Sequence, residues 1–281
     1  FYSTIGVGST ALQTGGGKVL GLEKILKAVD GMEASVLVAA PGYARFALQT
    51  LKHFNLKAEN LERIVIGTDF APMEMVNSIS TLMQDVGAKN NQVHRTYFIS
   101  EAKAGWGECA PGYGYHLNPD HVYVEIADPE TGESVGEEKP GEIVITNLDA
   151  RGTILVRYKT GDLTTGGLTT EPCPNCKRTV PRLLGDIERG SMIFPLDVGG
   201  KRIVFNANDL RRKMAINNDI LLWYAEINST SEGDGLNVVL KGKSGLNEAE
   251  LLESVESILR SEYDIPLTVE SSTLDAVADN I

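Results

Sequence analysis

The chain has 281 residues, 42% hydrophobic and 23% charged, which suggests about two compact globular domains and excludes collagen-like, coiled-coil and wholly disordered chains. Subtracting 38 acidic from 26 basic residues gives a net charge of −12, a poor match to nucleic acid, whose phosphates call for a basic surface. No apolar run approaches the roughly 20 residues that span a bilayer, and no signal segment opens the chain, so it reads as cytoplasmic with no membrane partner.

The chain opens at Phe1 rather than Met, and residues 1–5 read as the edge of something already under way, so a fragment of a longer protein is one reading. Residues 21–29 carry apolar side chains at helical spacing, with Gly31 placed to stop the helix. The apolar run 34–40 reads as a buried strand closed by Pro41-Gly42, followed by a helix over about 43–53. A second buried strand spans 63–66, a third helix runs from about 72 to 86, and a third strand lies near 93–98. Short buried strands joined by crossover helices predict a partial, mostly parallel α/β sheet with helices on both faces. In such sheets ligands bind beyond the carboxyl ends of the strands, here 41–43, 67–69 and 97–101.

From about 105 to 185 alternating segments and turn residues predict a small antiparallel β-layer, with strands at 121–126, 141–146 and 153–158 and a turn at 128–133. After a Gly-containing stretch near 185–200, the order strand (202–205), helix (208–215), strand (220–227), strand (236–240), helix (247–263), strand (267–270) predicts a ferredoxin-like α+β unit. Asn247 can cap the second helix, with Glu250 three residues on.

All three cysteines fall beside the β-layer: Cys109, then Cys173 and Cys176 around Pro174-Asn175. Two thiolates at C-x-x-C spacing can grip one metal, and a redox pair would instead open a helix beside a βαβ unit. Cys109 and His116, at C-x6-H spacing, offer two further ligands for a tetrahedral Zn²⁺, with His121 the rival imidazole. Four protein ligands leave no open position for water, which makes the site structural; the plain alternative is three buried thiols acting as small apolar residues.

The motifs resemble the phenylacetate–coenzyme A ligase branch of the adenylate-forming acyl-CoA synthetases. That family carries Tyr-Gly-x-Ser/Thr-Glu after a strand, where this chain has Tyr97-Phe98-Ile99-Ser100-Glu101. It carries Arg-Tyr-x-Thr-Gly-Asp-Leu, matched in full by Arg157-Tyr158-Lys159-Thr160-Gly161-Asp162-Leu163. Asp120-His121, the turn at 128–133 and the Cys-x6-His with its nearby paired cysteines also fit that branch; the spaced matches run from about Pro41 to Pro181.

The resemblance implies an ATP-dependent ligase that activates an aryl or other carboxylic acid as an acyl-adenylate and passes it to coenzyme A. It places Glu101 as the magnesium-binding glutamate, Asp162 on the ribose hydroxyls and Gly67-Thr68-Asp69 along adenine. Tyr97 would stack beside the base, with Ser100 in the same motif, and Tyr43 and Phe98 would meet the acyl group. Zn, Mg, ATP and coenzyme A are the implied cofactors and partners, with an AMP-bearing intermediate; the oligomeric state, a homodimer included, stays open. The expected units are a partial adenylation subdomain (1–104), a zinc-bearing β-layer (105–187) and a small C-terminal domain (188–281).

Some features depart from the pattern. The family's Ser/Thr/Gly-rich phosphate loop and its C-terminal lysine segment are not found in this chain, and Thr14-Gly15-Gly16-Gly17-Lys18 fails the Walker pattern. Asp186 follows Gly185 where the family has Arg, and Phe98 replaces a glycine. This chain alone is therefore expected to be inactive, and a non-catalytic, zinc-stabilised nucleotide-binding or protein-interaction module is the alternative. Arg211-Arg212-Lys213 reads as a solvated helix face rather than a coenzyme A phosphate site.

Overall fold

A computed structural model describes residues 8–14, 21–231 and 233–278. Residues 1–5 and Gly15–Lys18 lie outside them. The architecture is mixed α/β, built from three sheets.

The first unit begins with α1 (Leu22–Gly31), β1 (Val36–Ala39), α2 (Pro41–His53), β2 (Arg63–Ile66), α3 (Met73–Asp85) and β3 (Gln92–Ile99). Pro41 sits in the first turn of α2, where its missing N–H costs nothing. Strands β1, β2 and β3 pair in parallel, and Leu37, Ala39, Ile64, Ile66 and Val93 join Leu48, Ile79 and Leu82 of the helices in one core. The expectation of helices on both faces is met on one face. Val36 and Val38 are 45% and 73% exposed on the other, and among the described residues no element covers them.

The sheet continues antiparallel through β4 (Ala104–Glu108), β5 (Tyr115–His116), β10 (Arg182–Leu183) and β9 (Leu168–Thr169), giving the order β1-β2-β3-β4-β5-β10-β9. Packed against this part is a four-stranded antiparallel sheet of β11 (Ile187–Arg189), β8 (Tyr158–Thr164), β7 (Gly141–Asn147) and β6 (Val122–Ala127). The strand expected at 153–158 is replaced by β8, which starts where that run ends. Arg157 takes a φ of 45°, which breaks the extended path, and Ile154 and Val156 are left about 70% exposed.

In the C-terminal unit, β12 (Ile193–Val198) was hidden in the Gly-containing stretch; it pairs with β13 (Lys201–Asn206) as a hairpin. Then follow α4 (Ala207–Ile216), β14 (Ile220–Thr230), β15 (Gly233–Gly242), α5 (Glu248–Glu262), β16 (Leu267–Ser271) and α6 (Leu274–Ala278). The element order is the one expected for a ferredoxin-like unit, with one refinement in pairing. β16 runs parallel to β15 as its direct neighbour, and β12 rather than β13 touches β15. Asn206 and Asn247 cap α4 and α5 by accepting from the N–H of Asn208 and Ala249.

Candidate functional site

The ends of β2 and β3 meet β8 and β11 around a cavity of about 340 Å³. Five of the residues singled out from the sequence line it: Thr68, Asp69, Tyr97, Phe98 and Asp162. Gly67 stands at its rim for a steric reason, since a Cβ there would lie 2.2 Å from the Thr96 Oγ1. Thr68 follows with a φ of 70°, a left-handed turn that a non-glycine residue rarely takes.

Asp162 is aimed by its strand. β8 loses register with β7 opposite Glu142 and Val144, and Gly161 takes a φ of 73°, so the strand bulges where Asp162 leaves it. The Tyr97 hydroxyl donates to Asp162 Oδ2 at 2.8 Å, and Arg189 donates to Oδ1 at 2.8 Å. Burial, and then the adjacent carboxylate, push the Tyr97 phenol well above its usual range, so it stays a donor. A carboxylate has about four lone-pair positions, so Asp162 keeps acceptor capacity for a ligand's hydroxyls.

Sequence reasoning missed two cations of this cavity, Arg189 and Arg211. Arg189 follows Gly185 by four residues, in the stretch where the family's arginine was sought. The solvated helix face expected for Arg211-Arg212-Lys213 is instead an interface. Arg211 pairs with Asp69, both Arg211 and Arg212 lie over the Phe70 ring at 5.7 and 5.0 Å, and Lys213 pairs with Glu262.

Asp186 is likewise not a charge left facing a ligand. It accepts from Arg95 and from Arg212, while Arg95 makes a two-pronged contact with Glu108 at 2.8 Å per bond and Arg212 also reaches Glu188 and Asp209. Burial alone would lower the Arg95 pKa; Glu108 and Asp186 hold it firmly protonated.

The other candidates lie elsewhere. Glu101 is exposed in the turn after β3, where its carboxylate accepts from the Tyr158 hydroxyl at 3.3 Å, and Ser100 is exposed beside it. An exposed carboxylate with a single protein donor fits a Mg²⁺ that keeps several waters. Tyr43 packs against the helix-covered core and does not line the cavity. Phe98, 57% exposed, lies over Gly105, where a Cβ would be 2.4 Å from its ring.

At the far end of the β4–β5–β10 strip, Cys109, His116, Cys173 and Cys176 bring one ligand atom each to within 4.8 Å of one another. Cys109 Sγ and Cys173 Sγ are 3.7 Å apart, close to the ~3.8 Å that two 2.3 Å Zn–S bonds at a tetrahedral angle give. Cys176 Sγ lies 3.2 Å from His116 Nε2, so the geometry selects His116 over His121, which lines a separate groove. Burial pushes the Cys173 thiol up, but the backbone N–H groups of Cys176 and Asn175 outweigh it and bring the thiol down to about 6. The donor set fits a closed four-coordinate zinc site.

No protein-family model matches the chain. The fold superposes on a 2-hydroxyisobutyryl-CoA ligase in the postadenylation state with a TM-score of 0.72, at 18% identity, over 93% of this chain and 55% of that one. The same ligase in the thioesterification state gives 0.53. An anthranilate CoA ligase in complex with anthranoyl-AMP gives 0.60 at 15% identity, over 94% of this chain and 51% of that one. The fold is therefore that of the adenylate-forming CoA ligases. In sequence, the chain is 30% identical over 206 residues to a phenylacetate-coenzyme A ligase of Thermus thermophilus, covering 68% of this chain and 43% of that protein. It is 24% identical over 205 residues to the enzyme of that name from Aromatoleum evansii, covering 70% and 44%. The resemblance to the phenylacetate–coenzyme A ligase branch is borne out, and the chain spans less than half the length of these curated relatives.

Proposed function

We propose that the 340 Å³ cavity is the nucleotide pocket of an ATP-dependent acid–thiol ligase that activates an aryl or other organic acid and transfers it to coenzyme A. The observation that supports this best is the meeting of Asp162, held between Tyr97 and Arg189, with the 68–70 turn in one cavity of a CoA-ligase fold. Asp162 accepts from the ribose hydroxyls, Tyr97 and residues 67–69 flank the base, and Phe98 stands where the acyl group enters. Glu101 holds Mg²⁺, which offsets phosphate charge when bound. Cys109, His116, Cys173 and Cys176 hold a structural Zn²⁺ that ties residues 173–176 to β4 and β5. We divide the chain at 104 and 187 into an adenylation part, a zinc-bearing β-layer and a C-terminal unit.

Calorimetry with AMP tests the reading. The chain should bind AMP, and Asp162→Ala should weaken binding about 10–100-fold, the worth of one or two hydrogen bonds to a charged group. Absence of AMP binding to the unaltered chain would overturn the nucleotide pocket and leave the non-catalytic interaction module. Pyrophosphate release by this chain alone is expected to be absent.

A further inference from the structure

The bulge that aims Asp162 is held from behind by Glu142, a residue of β7 that does not line the cavity. Leu163 faces Glu142 and Lys159 faces Val144, so Thr160, Gly161 and Asp162 of β8 stand opposite Ile143 alone. Such a surplus on one strand interrupts the ladder, and the backbone N–H groups it displaces need other acceptors. The Asp162 N–H finds one within the bulge, Thr160 Oγ1 at 3.1 Å, and the Thr160 hydroxyl in turn donates to the Ile143 carbonyl at 2.7 Å. The Gly161 N–H finds one outside it, Glu142 Oε1 at 3.2 Å.

Glu142 is 6% exposed, a costly place for a carboxylate unless donors meet its oxygens. Its second oxygen, Oε2, lies 2.9 Å from Lys159 Nζ. The Lys159 side chain is 48% exposed and also donates to the Pro129 carbonyl at 2.8 Å, so water screens that pair and Lys159 has another anchor. The bond to Gly161 acts instead on the backbone of the bulge. Gly161 takes a φ of 73°, and its carbonyl lies so close to Gly190 that a Cβ there would stand 3.0 Å from the oxygen. The peptide is thus held at its N–H by Glu142 and confined at its carbonyl by Gly190. Asp162 is the next residue, and its 2.8 Å bonds to Tyr97 and Arg189 require that the peptide stay in place.

We infer that Glu142 is a positioning residue: by accepting from the Gly161 N–H it fixes the bulge, and with it the direction in which Asp162 enters the cavity. The placing of Asp162 stands on this geometry alone, whereas its consequence for a nucleotide's ribose rests on the reading proposed above. Reach to the Gly161 N–H, not negative charge, is what the role demands of residue 142.

Two measurements on the 281-residue chain test it. Without nucleotide, Glu142→Ala should speed amide hydrogen exchange at Gly161 and Asp162 about tenfold or more while Ile145 of β7 stays slow. In calorimetry, Glu142→Ala should weaken AMP binding about tenfold, because a binding group out of place by a fraction of an ångström loses most of its worth. Added to Asp162→Ala it should cost nothing further, since it acts through Asp162. Conservative variants separate reach from charge. Glu142→Gln keeps an acceptor oxygen and should hold both readouts within about threefold of the unaltered chain. Glu142→Asp keeps the charge, is one methylene short of Gly161, and should behave as Glu142→Ala does. The reverse order, with Asp tolerated and Gln not, would make Glu142 a counter-charge for Lys159 and overturn the inference. So would unchanged Gly161 exchange in both Glu142→Ala and Glu142→Asp, or a loss of AMP affinity that adds in full to that of Asp162→Ala. If the unaltered chain fails to bind AMP while the exchange results hold, the nucleotide reading falls and the placing of Asp162 by Glu142 stands.

Discussion

Gly67 ends β2 against Thr96, whose hydroxyl donates to the Ile66 carbonyl at 3.0 Å. An added methyl would sit 2.2 Å from that hydroxyl oxygen and 3.0 Å from the Thr96 carbonyl, so Gly67→Ala forces two strands apart beside the 340 Å³ cavity. Overpacking of this kind costs about 1–3 kcal/mol, to be read in urea unfolding. Thr96→Ala removes the nearer of the two atoms and should return part of the loss in the double variant; strict additivity would show that the clash is not the cause. Asp186 acts at the same scale through charge. It is flanked by Arg95, 1% exposed, and by Arg212, so Asp186→Asn leaves two guanidinium groups short of a partner. Removing one member of a buried ion pair is strongly destabilising, and about 3 kcal/mol is expected by the same measurement. Loss below 1 kcal/mol would show that Glu108 and Glu188 suffice.

At the scale of elements, the β6–β7 hairpin depends on a turn that the sequence makes plain. Asp128 Oδ1 accepts from the N–H of Glu130 at 2.9 Å and of Thr131 at 2.8 Å. These bonds favour the ionised form, so the folded pKa lies below its ordinary value. A depressed carboxylate contributes stability that is present above its unfolded pKa and lost as pH falls through the folded one, here below about pH 4. Asp128→Asn should flatten that part of the Tm-against-pH curve, and an unchanged slope would contradict the argument. The turn and most strands were legible because hydrophobic period and turn residues are local properties. Strand β12 was not, because Pro195 and the flanking glycines blur a strand whose pairing with β13 decides it. The exposed side of β1 was hidden too, since Val36 and Val38 look buried in sequence and only the placement of all three helices on the other face exposes them. The metal cluster was half legible: C-x-x-C spacing is local, whereas the selection of His116 over His121 follows from β5 pairing with β4 and β10.

For the molecule as a whole, the decisive contacts are those that seat the C-terminal unit, and these join residues far apart in the chain. Gln49 of α2 donates to the carbonyls of Asn218 and Ile220 at 3.0 and 3.1 Å, Arg45 donates to the Asn217 carbonyl, and Ser78 of α3 donates to the Asn218 side chain. Burial brings Arg45 down to about 10, and the Asn217 carbonyl is the partner that keeps its charge tolerable. Helix α4 adds Arg211 on Asp69 and Arg212 on Asp186 and Glu188. The two arginines differ in setting. The Arg211–Asp69 pair is 29% and 46% exposed, so water and salt screen it and its loss should cost no more than about 1 kcal/mol. Arg212 is 20% exposed, faces Asp186 and Glu188, which are more buried still, and covers the Phe70 ring, so its removal takes the cation from Glu188 and leaves Asp186 with Arg95 alone. Hydrogen exchange separates the two cases. Arg212→Ala should speed amide exchange through α4 and the 217–220 turn about tenfold or more while leaving the β6–β7 core slow, whereas Arg211→Ala should leave α4 within about threefold of the unaltered chain. Equal effects from the two variants would place the hold on the C-terminal unit in the Gln49 and Arg45 contacts rather than in the charge network around Asp186.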